Sequence, residues 1–339
     1  MVPDCSIIIP AYNAEATVLA ALNSIELNGD WTSRIEVVVV DDGSRDGTLA
    51  KLSEYAASNE SVIVIRQNNA GVSSARNAGI AKATGRYLFF MDADDTVCRK
   101  TLEYMIELAD EKSLPLVVAN YYEYRPDTKQ SVIKECRIPT DTVLDQSYII
   151  HHIFLRFYTG DKVGLSNLWN KLFSREYILK NGLRFDEQMS HGEDWFFCMR
   201  YFETITSFIA VSEKVYYYRI SGAFDRSKYG RPKIQEFINS YRIQQRLREK
   251  YQFCQKDSEE HIIYLGRCAN LIVTFLSHHD ISAKEKRAFL RYDEVKSVMD
   301  SICSLNSDQL AQIQQSRRYQ LAFRMIRAGL IKTGIAMIK

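Results

Sequence analysis

Short apolar runs alternate with helix-patterned stretches along the first 125 residues. Cys5-Ser-Ile-Ile-Ile9 is an apolar run ended by Pro10, the pattern of a buried strand. From Ala14 to Leu27 the apolar positions Val18, Leu19, Leu22 and Ile25 fall at helical spacing. Ile35 to Val40 is a β-branched run stopped by the turn signal Asp41-Asp42-Gly43. The same reading predicts a helix over Thr48 to Ala57, a strand over Val62 to Ile65, a helix over Ser73 to Ala83 and a strand over Tyr87 to Met91. Buried strands with helices between them imply an α/β fold, a mostly parallel sheet with helices on both faces. Ligands of such sheets bind beyond the carboxyl ends of the strands. The polar clusters Pro10-Ala11-Tyr12-Asn13, Asp41-Asp42-Gly43-Ser44 and Asp92-Ala93-Asp94-Asp95 all fall there.

The pattern changes from about residue 145, where aromatic-rich segments surround Trp169, Trp195 and Tyr216-Tyr217-Tyr218, and again near 230, beyond which the chain reads as helical. The expected organisation is a catalytic domain over 1–225, with a nucleotide-binding half (1–110) and an acceptor and catalytic half (111–225), followed by a helical region over 226–339. With 339 residues and 46% hydrophobic content, the chain is long enough for one large domain and an appendage. Its 44 basic and 42 acidic residues give a net charge of +2, which supplies no reason to expect nucleic acid as a partner. The seven cysteines have no CxxC spacing, so neither a zinc ribbon nor a disulfide framework is expected. Scattered thiols, with no signal-peptide pattern and no run of 18 apolar residues, predict a cytoplasmic protein without a membrane span.

Four constellations carry candidate chemistry. Asp92-Ala93-Asp94-Asp95 follows the apolar Tyr87–Met91, so a buried strand would deliver three carboxylates to one rim. Packed carboxylates repel, and a divalent cation such as Mg²⁺ or Mn²⁺, bridging them to a diphosphate, would relieve the repulsion. A strand-ending turn with an acidic helix start reads the same residues equally well. Asp41-Asp42-Gly43-Ser44-Arg45-Asp46-Gly47 fits the early positions of a calcium loop counted from Asp42, but the twelfth position is Ser53, where a Glu is needed. It reads either as a plain turn or as a place for Asp42 against a base or ribose hydroxyl. Asn68 to Gly79 matches neither phosphate-loop pattern. With Ser73 or Ser74 as helix cap, Arg76 would sit in the first turn, where a cation is disfavoured. That placement points to a task such as pairing a phosphate or a carboxylate. Finally, Gly192-Glu193-Asp194-Trp195 offers a general base beside a sugar-sized aromatic, or simply an acidic helix start.

Taken in order, Ile7-Ile-Ile-Pro-Ala-Tyr-Asn13, Val40-Asp-Asp-Gly-Ser44, Asp46-Gly-Thr48, Asn69-Ala-Gly71, Ala75-Arg-Asn-Ala-Gly79, Asp92-Ala-Asp-Asp95 and Gly192-Glu-Asp-Trp195 resemble the family-2 glycosyltransferases of GT-A fold. Trp169-Asn-Lys-Leu-Phe173 and Tyr217-Tyr-Arg219 also look like their bacterial capsular, exopolysaccharide or cell-wall branch. The resemblance covers roughly residues 5–225. It implies an inverting, metal-dependent transfer from a nucleotide-sugar, preferably a UDP-sugar, to a hydroxyl of a glycan or lipid-linked acceptor. It also implies roles. Pro10, Ala11 and Tyr12 would line the nucleobase pocket, Asp42 would hold base or ribose with Asp41 as neighbour, and Asn69 and Arg76 would line the nucleotide site. Asp92 and Asp94 would form the metal-binding pair for Mn²⁺ or Mg²⁺, and Asp194, with Glu193 beside it, would be the base. Trp195 and Lys171 would face the acceptor. A QxxRW signature and the spans of processive synthases are missing, which favours single additions.

Two other function classes fit less well. A sugar-1-phosphate nucleotidyltransferase resembles its kin in a basic, Gly-rich loop after the first strand, whereas no Arg or Lys occurs here before Arg34. A non-catalytic nucleotide-sugar-binding module would have no use for both acidic pairs. At the other end, 317–339 holds six basic residues and no acidic one, interleaved with Leu321, Phe323, Ile326, Leu330 and Ile335. The segment reads either as a peripheral contact with the inner face of the cell membrane or as a terminal helix docked on its own domain.

Overall fold

Strand β1 (Cys5–Ala11) is buried on both faces, as is β2 (Ile35–Asp41) beside it. The two pair in parallel from Cys5 opposite Ile35 to Ala11 opposite Asp41. The sheet continues through β3 (Val62–Arg66), β4 (Tyr87–Phe90), β5 (Thr96–Val97), β6 (Leu116–Arg125), β7 (Gln130–Lys134), β8 (Val143–Asp145), β9 (Lys171–Ser174) and β10 (Ser207–Arg219). Its order is β3-β2-β1-β4-β9-β6-β10-β5, with β7 on β6 and β8 on β10. The first four neighbours are parallel, and β9 then runs antiparallel to both β4 and β6. This is the expected α/β architecture, with β9 as a reversed strand of four residues in which only Leu172 and Phe173 are apolar.

The computed structural model describes residues 2–160, 164–189, 192–220, 234–255, 258–312, 317–327 and 334. The chain forms two units, Met1–Ile149 with Lys162–Ala223, and Ile150–Asp161 with Phe224–Lys339. The second unit thus takes in Ile150–Asp161, a stretch that the sequence reading placed with the first 225 residues.

In the first unit, alternate strand residues feed two cores, as the two-residue side-chain period requires. Ile7, Ile9, Val37 and Val39 join Val18, Leu22, Leu102 and Met105 on one face, and Val38 and Val40 meet Ala75 on the other. The helix carrying Ala75 (Val72–Lys82) lies so close to β1 that a Cβ on Gly79 would fall 2.4 Å from Ile8 Cγ2. Because β1, β2 and β4 run parallel, their carboxyl ends open on one rim. Gly43, in the turn after β2, has φ 76°, and a Cβ there would meet Asn69 N at 2.8 Å, so the turn needs glycine.

The second unit is helical where it is described, with the long helices Ile234–Tyr251, Glu259–Ser277 and Asp293–Ser304. Their shared core includes Leu265, Ile272, Phe275, Val298 and Ile302. The helix Arg317–Arg327 contributes Phe323 and Ile326 to it, while Arg324 is exposed and donates to Cys303 O. Most of the remaining basic, apolar tail, 328–333 and 335–339, lies outside the described residues. None of the described helices is long and apolar enough to cross a membrane.

Candidate active site

Four separate stretches of chain meet at Arg76. Its Nη1 donates to Asp194 Oδ1 at 2.6 Å and to Glu193 Oε1 at 3.1 Å, and its Nη2 donates to Asp92 Oδ1 at 3.1 Å. Arg76 is 4% exposed. The helix starts at Val72 behind Gly71, with no serine cap, so Arg76 is its fifth residue and lies beyond the first turn in which it was expected. What holds its charge is three carboxylates, charge-assisted partners of the strong kind. The Phe185 ring lies 5.4 Å from the guanidinium carbon, a cation–π distance.

The neighbours of Arg76 in sequence explain why these stretches meet. Asn77 Nδ2 donates to Phe185 O, and Phe185 N donates back to Asn77 Oδ1, both at 2.9 Å. The same amide reaches Glu187 Oε1. Phe185 stacks on Phe197 at 4.3 Å, and Phe197 packs edge-on against Phe90 and Phe173. Phe197 belongs to the helix Glu193–Phe202, whose first turn carries Glu193 and Asp194 behind the left-handed Gly192. Acidic residues are favoured at that end of a helix. Phe90 is the last residue of β4, two before Asp92. One aromatic cluster, each pair worth about 0.5–1.5 kcal/mol beyond its burial, therefore fixes the acidic helix start against the acidic strand end.

The Asp92–Asp95 turn presents two carboxylates to the rim, not the expected three. Asp92 is partly buried and Asp94 exposed, but Asp95 is 1% exposed and its Oδ1 accepts from Arg219 N at 2.6 Å. Burial and the nearby Asp92 push the Asp95 carboxyl up to about 8, and its Oδ2 has no protein partner. Tyr216 Oη accepts from Asp92 N, and Trp169 stacks on Tyr216 at 4.6 Å, so the Trp169 and tyrosine segments brace this turn. Asp194 is also raised above the ordinary carboxylate range, by burial first, with the Arg76 charge pulling the other way.

The nucleotide side of the rim differs in part from the roles the resemblance implied. Asp42 is 4% exposed and its carboxylate accepts from Gln67 Nε2, Ala70 N and Gly71 N. It shapes the loop that bears the exposed Asn69 and has little left to offer a ligand. Asp41 is fully buried, with Oδ1 facing Ser44 N and Oδ2 lacking a partner. Tyr12 is 46% exposed beside buried Ala11 and partly buried Pro10, an open aromatic face at the end of β1. Asn13, at φ 49°, latches this loop to the next, donating from N to Ser44 Oγ and accepting from Arg45 N. Asp46, Gly47 and Thr48 serve the same latch through Glu15 and Ala14.

Lys171, expected at the acceptor, is fully buried instead. Its ammonium donates to Gly164 O, Asn167 O and Asn170 Oδ1, which places all three protons within the protein, and burial lowers its pKa. Trp195 is partly buried on the first helical turn beside Asp194. Among the described residues, the group of three or more His, Cys, Asp or Glu whose ligand atoms fall within 4.8 Å of one another is His278, His279 and Asp280 in the second unit, not the Asp92 turn. Asn77, Phe185 and Tyr216 were missed as site residues. The only sequence signal for Asn77 was its place beside Arg76, and nothing local pointed to Phe185.

The rim thus sets the exposed Tyr12 at the end of β1 and the loop after β2 beside a cluster of carboxylates from the turn after β4 and a distant helix. A family model described as Glycosyl transferase family 2 matches residues 6–180, more than half of the chain, and the chain belongs to that family. The fold is that of solved GT-A structures: Staphylococcus aureus TarS 1–349 superposes with a TM-score of 0.62 at 18% identity, covering 99% of this chain and 90% of that one. Among curated proteins, the chain is 31% identical over 222 residues to the uncharacterized glycosyltransferase EpsJ of Bacillus subtilis (strain 168), covering 65% of this chain and 62% of that protein. It is 32% identical over 198 residues to the succinoglycan biosynthesis protein ExoO of Rhizobium meliloti (strain 1021), covering 57% and 54%. The match therefore spans between half and two thirds of these relatives.

Proposed function

We propose that this protein is an inverting glycosyltransferase that moves a sugar from a UDP-sugar onto a hydroxyl of a glycan or lipid-linked glycan during surface polysaccharide synthesis. The observation that carries the reading is the junction at Arg76, where Asp92 and the Glu193-Asp194 pair, about a hundred residues apart in sequence, meet.

Asp194 is the general base. Its raised pKa gives it more affinity for a proton than an exposed carboxylate has, which suits accepting one from a hydroxyl near neutral pH. As the acceptor oxygen forms its bond to the anomeric carbon, Asp194 takes the hydroxyl proton, and the bond to the nucleotide diphosphate breaks with its electron pair leaving on the phosphate oxygen. A single displacement of this kind inverts the anomeric centre. Tyr12, open at the end of β1, would stack on the base.

The residues fit a hard divalent cation such as Mn²⁺ or Mg²⁺. Asp92 and Asp94 supply hard oxygen donors two residues apart at the rim, while Asp95 behind them, raised chiefly by burial, turns inward. When bound, the metal would neutralise charge developing on the diphosphate. The TarS structures that this fold resembles include complexes with UDP and UDP-GlcNAc, which supports uridine as the nucleotide. ExoO and TarS, by their names, concern succinoglycan and poly(ribitol-phosphate), which supports a polysaccharide acceptor. Of the two readings of 317–339, the described part supports the docked helix, since Phe323 and Ile326 pack into the second unit.

The test is a donor screen: the protein with Mn²⁺, a panel of UDP-, GDP- and dTDP-sugars, and detection of released nucleotide. Turnover of a UDP-sugar is expected. Release of pyrophosphate from a sugar-1-phosphate and a nucleoside triphosphate would point to the nucleotidyltransferase instead.

A further inference from the structure

The resemblance put Arg76 at the nucleotide, but its guanidinium is turned into the carboxylates. We propose that Arg76 is a positioning residue for the transfer step, holding the Asp194 carboxylate at a fixed angle and distance from the Asp92 turn. This rests on the reading of Asp194 as the base.

The arm is held along its whole length. Arg76 stands between fully buried Ala75 and nearly buried Asn77. Its guanidinium rests on Phe185, Asn77 clamps the backbone of Phe185 from both sides, and Phe185 stacks on Phe197 of the helix that carries Asp194. The path from Arg76 through Phe185 and Phe197 back to Asp194 is a closed ring of contacts, so the guanidinium and the carboxylate cannot shift independently. Every donor of Arg76 that reaches a protein acceptor is spent on a carboxylate, and Nε is buried without one. A planar fork can bridge two acceptors at fixed spacing, which a lysine ammonium cannot.

The charged and titratable groups facing Asp194 are Glu193 and Cys198 from its own helix, Arg76 from Val72–Lys82, Asp92 from the turn after β4, and Lys171 from β9. Arg76 is the cation in direct contact, and it opposes the burial that raises Asp194. Taking that cation away leaves Asp194 harder to ionise.

The test uses the full chain as Arg76→Met and Arg76→Lys, each also combined with Asp194→Asn. UDP affinity is read by calorimetry with Mn²⁺, and kcat against pH with the donor found in the screen. Arg76→Met should lower kcat about 10²-fold, the cost of misplacing a reacting group by about an ångström. Its acidic limb should move to higher pH. UDP affinity should change by less than about threefold, roughly half a tenfold step in free energy, because Tyr216 still holds the Asp92 backbone. Arg76→Lys should keep UDP binding and lose part of kcat. In the Asp194→Asn background neither substitution should cost anything further, since both losses pass through one carboxylate.

The proposal is overturned if UDP affinity falls in step with kcat/KM, if the acidic limb stays where it was, or if the losses multiply in the double variants. Should Arg76→Met fail to fold by thermal melting, Arg76→Lys and its double variant decide on the same readouts. An Asp194→Asn protein that turns over normally would mark a different failure, that of the base reading itself, and the proposal would fall with it.

Discussion

Arg76 Nη1 and Asp194 Oδ1 lie 2.6 Å apart, although 118 residues separate them in sequence. An ion pair of that length places a carboxylate at the rim while keeping it partly out of water. Side-chain exposure is 5% for Arg76 and 28% for Asp194. The open side of Asp194 is the side on which an acceptor hydroxyl can arrive. Asp194→Asn keeps the shape and removes the proton acceptor. Turnover should fall by about 10²-fold or more, with UDP affinity on calorimetry little changed, as expected for loss of a general base. Normal turnover would return Asp194 to a helix-start role.

The pH dependence follows from the same carboxylate. A base must be ionised to act, and burial raises Asp194 above the usual carboxylate range, Arg76 notwithstanding. Activity should therefore be lost on acidification at a higher pH than an exposed aspartate would dictate, and regained as pH rises through the raised pKa. The residual activity of Asp194→Asn should lack this limb. A kcat profile flat down to pH 4 in the native protein would contradict the assignment.

Asp94→Ala should abolish metal-dependent turnover while leaving the melting temperature close to native. Asp94 is exposed, whereas its neighbour Asp95 is buried and tied to Arg219. Loss of native activity in EDTA, restored by Mn²⁺ or Mg²⁺, is the companion measurement. Full activity of Asp94→Ala in chelator would remove the metal from the reading.

Much of this rim was legible from pattern alone. Ile35–Val40 and Tyr87–Met91 could only be buried strands, and their ends had to carry the polar clusters. What the sequence withheld was direction. Asp92, Asp94 and Asp95 look alike as letters, yet Asp95 turns inward because Arg219 N waits there at the end of β10, more than a hundred residues later. Asp42, expected against base or ribose, is also the anchor of the Gln67–Gly71 loop. Arg76 was singled out because a Ser73 or Ser74 cap would have put it in a first helical turn, with a phosphate or a carboxylate as partner. The helix starts earlier, at Val72, so that conflict is absent although the carboxylate partners are there. Which carboxylates it would meet depended on Phe185 and Phe197, a packing relationship with no local signature.

Lys171 offers a test of one such inward turn. Its protons are held by Gly164 O, Asn167 O and Asn170 Oδ1, and Asn170 Nδ2 in turn bonds Ala119 O. Lys171→Met should strand Asn170 Oδ1, at about 1–3 kcal/mol for a buried acceptor, while Gly164 O keeps Asn170 Nδ2 and Asn167 O keeps only the weak Cys198 thiol. A clear drop in the urea midpoint is expected, with acceptor KM unchanged in whatever protein remains folded. A raised acceptor KM at native stability would place Lys171 at the acceptor after all.

Gly79 tests the frame on which the site stands. It lies in the same helix as Arg76, where alanine is ordinarily the better helix former by about 1 kcal/mol. Here its Cβ would lie 2.4 Å from Cγ2 of fully buried Ile8, on a strand flanked by β2 and β4 that has no room to retreat. Overpacking of this kind costs about 1–3 kcal/mol and should outweigh the propensity gain. Gly79→Ala is therefore expected to lower the urea unfolding midpoint with an unchanged denaturant slope. Ile8→Ala removes the obstructing methyl, and by itself should cost about 2–5 kcal/mol. In that background Gly79→Ala should change sign and become neutral or stabilising, because only the helix preference remains. A Gly79→Ala protein as stable as the native one would mean that the helix can lift from β1 freely, and that the position of Arg76 is not set by this contact.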